Sequence, residues 1–513
     1  MSTAAGTREP SKILEELVGA FGSEKVLSDP EDLYVYSFHG EFAIRRREAP
    51  LAVLRLSTEG EMRELDMIIE GSEIRVARND VDLKEEPRGP DAPLLLVDAR
   101  EPISPATLRE RLSELEKAQR RGKGKLRGDL PFPEWLVSSL KLRDGYRIGE
   151  RPGCDDGFCA VQPFFDGIET FSSKGRLLLT RGLLKGELEA TERLADSIYT
   201  CTACGQCYDQ MSLLGLEMNK AIIRTRHEIV KAGLSPKQCG ELSSNILYEG
   251  NPMGMPAEDR ALWYEELADG SPYEGNDVLY WTGCSTSYRL PGVVEATAKT
   301  FEEANLDFGL MGEEEGCCGL ILYLLGLWDE ARENAMKTLG ALADRGVKRL
   351  VTGCAGCYYA FTRVYPFLNM RPRFQVSHTS QVLESLILDG HIQPKGLSGS
   401  FMWHDPCDLG RHSNVFEPPR NVLRAIPGLE LKELPLNRQH AICCGGGGGL
   451  MMYDISLSER IALSKVVEEI SPLGLDGVVT GCPACILSLR SAAKEIGSEL
   501  PVYDLAELVG RCL

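Results

Sequence analysis

The sequence predicts an α/β protein: a tandem duplicated domain with mostly parallel sheets, preceded by a helical cysteine-bearing module and a small α/β N-terminal domain. Three observations carry this. Cysteine motifs recur at offsets of 123, 126 and 128 residues, from Cys284 to Cys407, Cys317 to Cys443 and Cys354 to Cys482. Short apolar strands alternate with helical segments in both copies, which is the pattern of a parallel sheet covered by helices. All seventeen cysteines follow residue 153, so an N-terminal region without them stands apart.

Residues 1–120 read as the small α/β domain, with an amphipathic helix Lys12–Phe21, an apolar run Leu51–Leu56, a helix Glu59–Glu70 and a short strand Ile74–Ala77. Ser104-Pro105 pairs an N-cap with a first-turn proline and opens a charged helix Leu108–Arg121. The Gly/Lys-rich stretch Gly122–Gly128 then places a linker at 121–145. Residues 146–270 read as a helical module, and Gly270–Asp277 as a second linker. In the copies at 278–395 and 396–513, strands Val278–Trp281 and Ser400–His404 run into Cys284 and Cys407. Strands Lys348–Thr352 and Gly477–Thr480 run into Thr-Gly-Cys-x-x-Cys. Ligands of such sheets gather at the C-terminal strand ends, where these cysteines sit.

Composition narrows the chemistry. A formal charge of −19 opposes polyphosphate, and the single basic run Lys117–Arg127 reads as a solvated linker, so nucleic acid is not expected as a partner. No window approaches the roughly 20 apolar residues of a membrane span, and Met1–Ser11 lacks the features of a signal peptide. The expected location is the cytoplasm, or the membrane periphery through a partner subunit. Clustered thiols in that compartment bind metal more readily than they form disulfides.

Each copy offers five thiols: Cys284, Cys317, Cys318, Cys354 and Cys357, then Cys407, Cys443, Cys444, Cys482 and Cys485. Five exceed the four that a zinc site or a cubane cluster takes. Glycines after each Cys-Cys pair let backbone N–H groups approach bound sulfide. With HDPCDLGR at 404–411, CCGGGG at 443–448 and TGCPAC at 480–485, the repeat resembles the CCG domains of heterodisulfide reductase catalytic subunits. That resemblance implies a noncubane 4Fe–4S cluster on each five-cysteine set, and paired clusters that split a disulfide with the ten cysteines as catalytic ligands. Iron–sulfur subunits of glycolate and lactate oxidases resemble the pattern with fewer cysteines. Retention of all ten favours disulfide chemistry over conduction alone.

The family precedes its CCG domains with a two-cluster ferredoxin-like module, and here it is reduced. CTACGQC supplies Cys201, Cys204 and Cys207, but Met211 stands where a fourth cysteine is expected. Cys159, upstream of Ser172-Ser173-Lys174-Gly175-Arg176, falls near the crossover position, with Cys154 as the alternative. One cubane 4Fe–4S on Cys159, Cys201, Cys204 and Cys207 is the expectation. Lys174 and Arg176 either flank that cluster or face solvent. Cys239 and Cys512 read as ordinary thiols, and Leu320–Leu327, Tyr358 and Tyr359 as packing residues. His404 and His412 flank Cys407 and are candidate proton donors to a leaving thiolate.

Residues 27–41 and 49–65 resemble the start of a flavin-linked 2-hydroxyacid dehydrogenase domain. The equivalent of its phosphate loop, Arg75–Glu85, has no glycine, so no FAD is expected and a docking role is. The heterodisulfide reductase resemblance implies an oxidoreductase acting on a small disulfide or thiols; with neither a flavin site nor a membrane span expected, a flavoprotein or a b-type cytochrome subunit is the expected electron partner in a complex. The alternative is an electron-transfer subunit of a lactate or glycolate dehydrogenase or of a quinone-linked complex.

Overall fold

The computed structural model describes residues 10–36, 51–56, 58–69, 75–78, 94–97, 159–165, 168–207, 218–262 and 272–513. It divides into two units, residues 1–197 with 214–216 and residues 198–213 with 217–513. The division falls inside 146–270, the stretch read from sequence as one helical module. The helix expected at 108–121 and the linker at 121–145 lie outside the described residues.

In the first unit, β1 (Val26–Leu27), β2 (Ala52–Leu54), β3 (Arg75–Arg78) and β4 (Leu94–Val97) form a sheet of order β1-β2-β4-β3, antiparallel only between β1 and β2. Helix Pro10–Phe21 buries Ile13, Leu17 and Phe21 against this sheet's Val26, Ala52 and Leu54, following its helical spacing. Helix Pro30–Tyr36 is the more informative element. It carries two buried acids, and Asp32 accepts from Thr170 Oγ1 and from Arg193 Nη2 at 3.4 Å. Burial raises the Asp32 carboxyl above its ordinary value. Helix Pro30–Tyr36 is thereby tied to Thr170, Thr191 and Arg193 of the same unit.

The second unit holds two four-stranded, all-parallel sheets. The first has order β6-β5-β7-β8, with β5 (Val278–Trp281), β6 (Phe308–Gly309), β7 (Arg349–Thr352) and β8 (Gln375–His378). The second has order β10-β9-β11-β12, with β9 (Gly399–Trp403), β10 (Leu429–Lys432), β11 (Gly477–Thr480) and β12 (Val502–Asp504). The two orders are the same, which is the structural form of the duplication. Pro272 bridges to Leu310 and Tyr273 N–H donates to Leu310 O at 2.8 Å, so the described part of the second linker is an edge of the first sheet.

The two sheets share one hydrophobic core, running from Val278 and Tyr280 through Leu383 and Phe401 to Leu505 and Val509. Ala355 N–H donates to Gly481 O at 3.2 Å, and the His378 ring reaches the same carbonyl at 3.0 Å. Leu320, Leu322, Leu324, Leu325 and Leu327 are buried, which makes the leucine-rich run core. Among the described residues no helix is long and apolar enough to cross a membrane.

Candidate metal centres

Strand geometry brings each cysteine set together. β5 and β7 are adjacent and parallel, so Cys284 and Cys354, just beyond them, emerge at one sheet end; Cys407 and Cys482 do so beyond β9 and β11. The Cys-Cys pairs come from loops that need glycine. Gly319 (φ 69°) and Gly445 (φ 83°) are left-handed, and a β-carbon on Gly445 would stand 2.7 Å from Ser458 O. Their N–H groups turn back on the preceding sulfur, Gly319 to Cys317 Sγ at 3.3 Å and Gly445 to Cys443 Sγ at 3.4 Å.

In the first set Cys284 Sγ lies 3.7 Å from Cys317 Sγ, and the thiols of Cys317, Cys318, Cys357 and Cys354 continue as a chain of contacts. In the second, Cys407 touches Cys443, Cys443 touches Cys444, Cys444 lies 3.1 Å from Cys485, and Cys485 touches Cys482. The structure thus gathers all ten predicted thiols into two groups of five. Hydrogen bonding to Cys317 holds Cys284 protonated, and contact with Cys443, then burial, does the same to Cys407. Cys318, accepting from Cys317, is pushed down to about 6. Five thiols at this spacing, four of them buried, cannot all ionise against one another without a cation. Iron bound here would supply that charge and take thiolate, so the donor set fits iron–sulfur ligation.

Two buried ion pairs, absent from the sequence reading, hold the first cysteine of each set. Glu315 accepts from Thr282 N–H at 2.8 Å and Gly283 N–H at 2.7 Å and pairs with buried Arg260 at 3.1 Å. In the second copy Asp405 takes both Nη atoms of Arg420, at 2.7 and 2.8 Å, and the Arg438 N–H at 2.7 Å. The same support comes from different sequence positions, which hid it from motif reading.

The candidate proton donors His404 and His412 are both buried beside cysteines. Burial pushes both His404 and His412 down to about 3, so each imidazole is neutral at neutral pH. His404 lies beside Cys444 and Cys485, and His412 beside Cys407 and Asp408. The group poised nearer neutrality is Asp408, raised by burial to about 6 and in contact with Cys407. A β-carbon on Gly356 would stand 3.6 Å from Asp408 Oδ2 and 3.7 Å from Cys354 Sγ, so this carboxylate reaches the first set's Cys-x-x-Cys turn. Cys354 and Cys407 are the more exposed thiols of their sets.

The CTACGQC loop packs on the second copy. Cys204 and Cys443 are in sulfur–sulfur contact, Arg411 Nε donates to Cys204 O at 2.7 Å, and His412 Nε2 lies 3.1 Å from Ala203 O. Cys201 and Cys207 are in the same loop and partly exposed. Cys159 belongs to the other unit, where Arg176 Nη1 lies 3.8 Å from its sulfur and Arg176 Nε donates to Ser197 O. Lys174 and Arg176 are both buried, which removes the solvent-facing alternative for them. Cys154 lies outside the described residues.

Twin parallel sheets that each gather five thiols at their strand ends define a tandem cysteine-rich-domain protein, and the family model described as "Cysteine-rich domain" matches residues 278–362 and 401–490. The chain is 31% identical, over 67% of itself and 84% of the relative, to a subunit of the dihydromethanophenazine:CoB–CoM heterodisulfide reductase of Methanosarcina barkeri. It belongs to the family of iron–sulfur oxidoreductases that this heterodisulfide reductase polypeptide represents. It is also 29% identical to the probable iron-sulfur-binding oxidoreductase FadF of Bacillus subtilis and 27% identical to the EtfAB:quinone oxidoreductase of Syntrophomonas wolfei. These matches cover 62% of the chain but only 46% and 47% of those longer proteins. Among solved structures, glutamate racemase RacE1 from Bacillus anthracis overlaps 46% of this chain and 77% of its own at 13% identity, with a TM-score of 0.24, too slight a likeness to bear on function.

Proposed function

We propose that the chain is the sulfur-handling subunit of a redox complex, cleaving a small disulfide or forming it from two thiols. The observation that carries this is the pairing of two complete five-thiol sets whose more exposed members, Cys354 and Cys407, are both neighboured by Asp408. In this reading each set holds a noncubane 4Fe–4S cluster, and Cys201, Cys204 and Cys207, with Cys159 or Cys154, hold one cubane. Such clusters supply one-electron chemistry and iron sites that bind sulfur. The chain's own residues do the rest. Glu315–Arg260 and Asp405–Arg420 keep the two sets in fixed positions, and the core shared by the sheets excludes water from eight of the ten thiols, all but Cys354 and Cys407. Asp408, raised by burial and in contact with Cys407, is placed to relay a proton to a departing thiolate. His412 accepts or donates only as a neutral ring; it lies beside Cys407 and also lines a cavity of about 390 Å³ with Tyr359, Arg363, Arg411 and Lys220. That volume suits a small molecule.

A second reading is favoured by the match to EtfAB:quinone oxidoreductase: an electron-conducting subunit serving a flavoprotein partner. Either reading takes a flavoprotein or a b-type cytochrome subunit as the electron partner. Anaerobic purification, iron quantification and EPR with candidate thiols under oxidising conditions test both. About twelve irons are expected for three four-iron clusters, with a thiol-dependent paramagnetic signal. Four irons or fewer and no such signal sink the proposal, while full iron without any thiol response favours conduction.

A further inference from the structure

Helix Met218–Lys231 carries none of the cysteines, yet it sends one guanidinium among three backbone segments that adjoin cysteine motifs. Arg226 is fully buried. Its Nη1 donates to Leu324 O at 2.7 Å, six residues beyond Cys318, and to Gly448 O at 2.6 Å in the glycine run after Cys444. Its Nη2 donates to Ile198 O at 3.3 Å, Tyr199 O at 3.4 Å and Cys201 O. A planar fork with fixed donor directions can join three backbone segments at set distances, which an ammonium on a flexible stem cannot. The joint is also tight. Gly448 (φ 68°) stands where a β-carbon would come 1.7 Å from Thr202 O, so the loop starting at Cys201 and the loop after Cys444 are in backbone contact at the place the fork spans.

We propose that Arg226 is a positioning residue that sets the approach of Cys204 to Cys443, and so the electron path between the Cys201–Cys207 centre and the second CCG centre. This rests on the reading above that both carry clusters. Arg411 and His412 also hold the Cys201–Cys207 loop, but from the second copy alone. The hydrogen bonds of Arg226 reach that loop and both CCG copies at once.

Two variants test it by different routes. Arg226→Lys keeps the charge and loses the fork; Gly448→Ala keeps the fork and wedges the same two loops apart. Rapid-freeze EPR after mixing the holoprotein with dithionite follows an electron from that reductant into the Cys201–Cys207 centre and onward into the second CCG centre. Both variants should retain wild-type iron and wild-type filling of the first centre, and slow the onward step by an order of magnitude. An onward rate equal to wild type in either variant overturns the proposal. If the chain as purified carries no iron, the cluster reading fails and this one is still decided: diamide, reduced to its hydrazine as two thiols become a disulfide, should join Cys204 to Cys443 in the wild type and much less in both variants. Equal yields in all three overturn it.

Discussion

At the scale of single residues, the cysteines are held by buried charge. Arg260 is 2% exposed and Glu315 3%, and the carboxylate also carries two backbone N–H groups of the Cys284 turn. Removing one partner of such a pair leaves the other desolvated and alone, a loss of about 3–5 kcal/mol. Arg260→Met should lower the urea midpoint accordingly and release iron from the first set before the second; a stability loss under about 1 kcal/mol would show that Glu315 finds other partners. Gly445→Ala is the steric counterpart in the second copy. Its β-carbon meets Ser458 O at 2.7 Å in a left-handed backbone, so a loss of about 1–3 kcal/mol and a displaced Cys443–Cys444 pair are expected from melting curves and EPR line shape. The ten thiols were legible because each copy repeats their spacing. Their supports were not, because Glu315 lies just before Cys317 whereas Asp405 lies just before Cys407, and no common spacing marks the two.

At the scale of elements, the duplicated strands end in caps of opposite character. Thr352 pairs with His378 and Thr480 with Asp504, and each of His378 and Asp504 caps the helix that follows. Burial pushes His378 down to about 4 and Asp504 up to about 8. The His378 pKa is depressed when folded, so the unfolded chain binds the extra proton between about 6.5 and 4 and stability is lost as pH falls through that window. Asp504 has the reverse sign. Its folded pKa is raised, so its contribution is complete below about 3.8 and lost as pH rises towards 8. Denaturant titrations should show His378→Asn losing less stability than wild type from pH 6.5 to 4, and Asp504→Asn losing less from pH 4 to 8, each difference a few kcal/mol. Parallel slopes for wild type and variant would remove the group from the account. Helices and strands were read from sequence to within a residue or two at Pro10–Phe21, Ala52–Leu54, Glu59–Ile69 and Gly477–Thr480, since alternation and turn residues mark them locally. The neutrality of His404 and His412 was not, because it comes from burial by distant chain.

At the scale of the molecule, the two sheets of the second unit share one core and should melt as one body. Leu383 in helix Thr379–Leu388 is fully buried in the core that also contains Val422 and Leu423 of helix Glu417–Arg424, so each copy fills space for the other. The backbone link from Ala355 to Gly481 joins the Cys-x-x-Cys turns themselves. Repetition in the sequence marks two copies of one domain; the core they share depends on contacts across more than a hundred residues, which no local spacing displays. Leu383→Ala deletes volume from the first copy and should cost about 2–5 kcal/mol. Because the core is common, the loss should appear in both copies: heating should release iron from the two five-thiol sets at one lowered temperature, followed by absorbance and by EPR of each signal. If Leu383→Ala lowers release from Cys284, Cys317, Cys318, Cys354 and Cys357 while leaving the second set at its wild-type temperature, the copies melt independently and the single-body account is wrong.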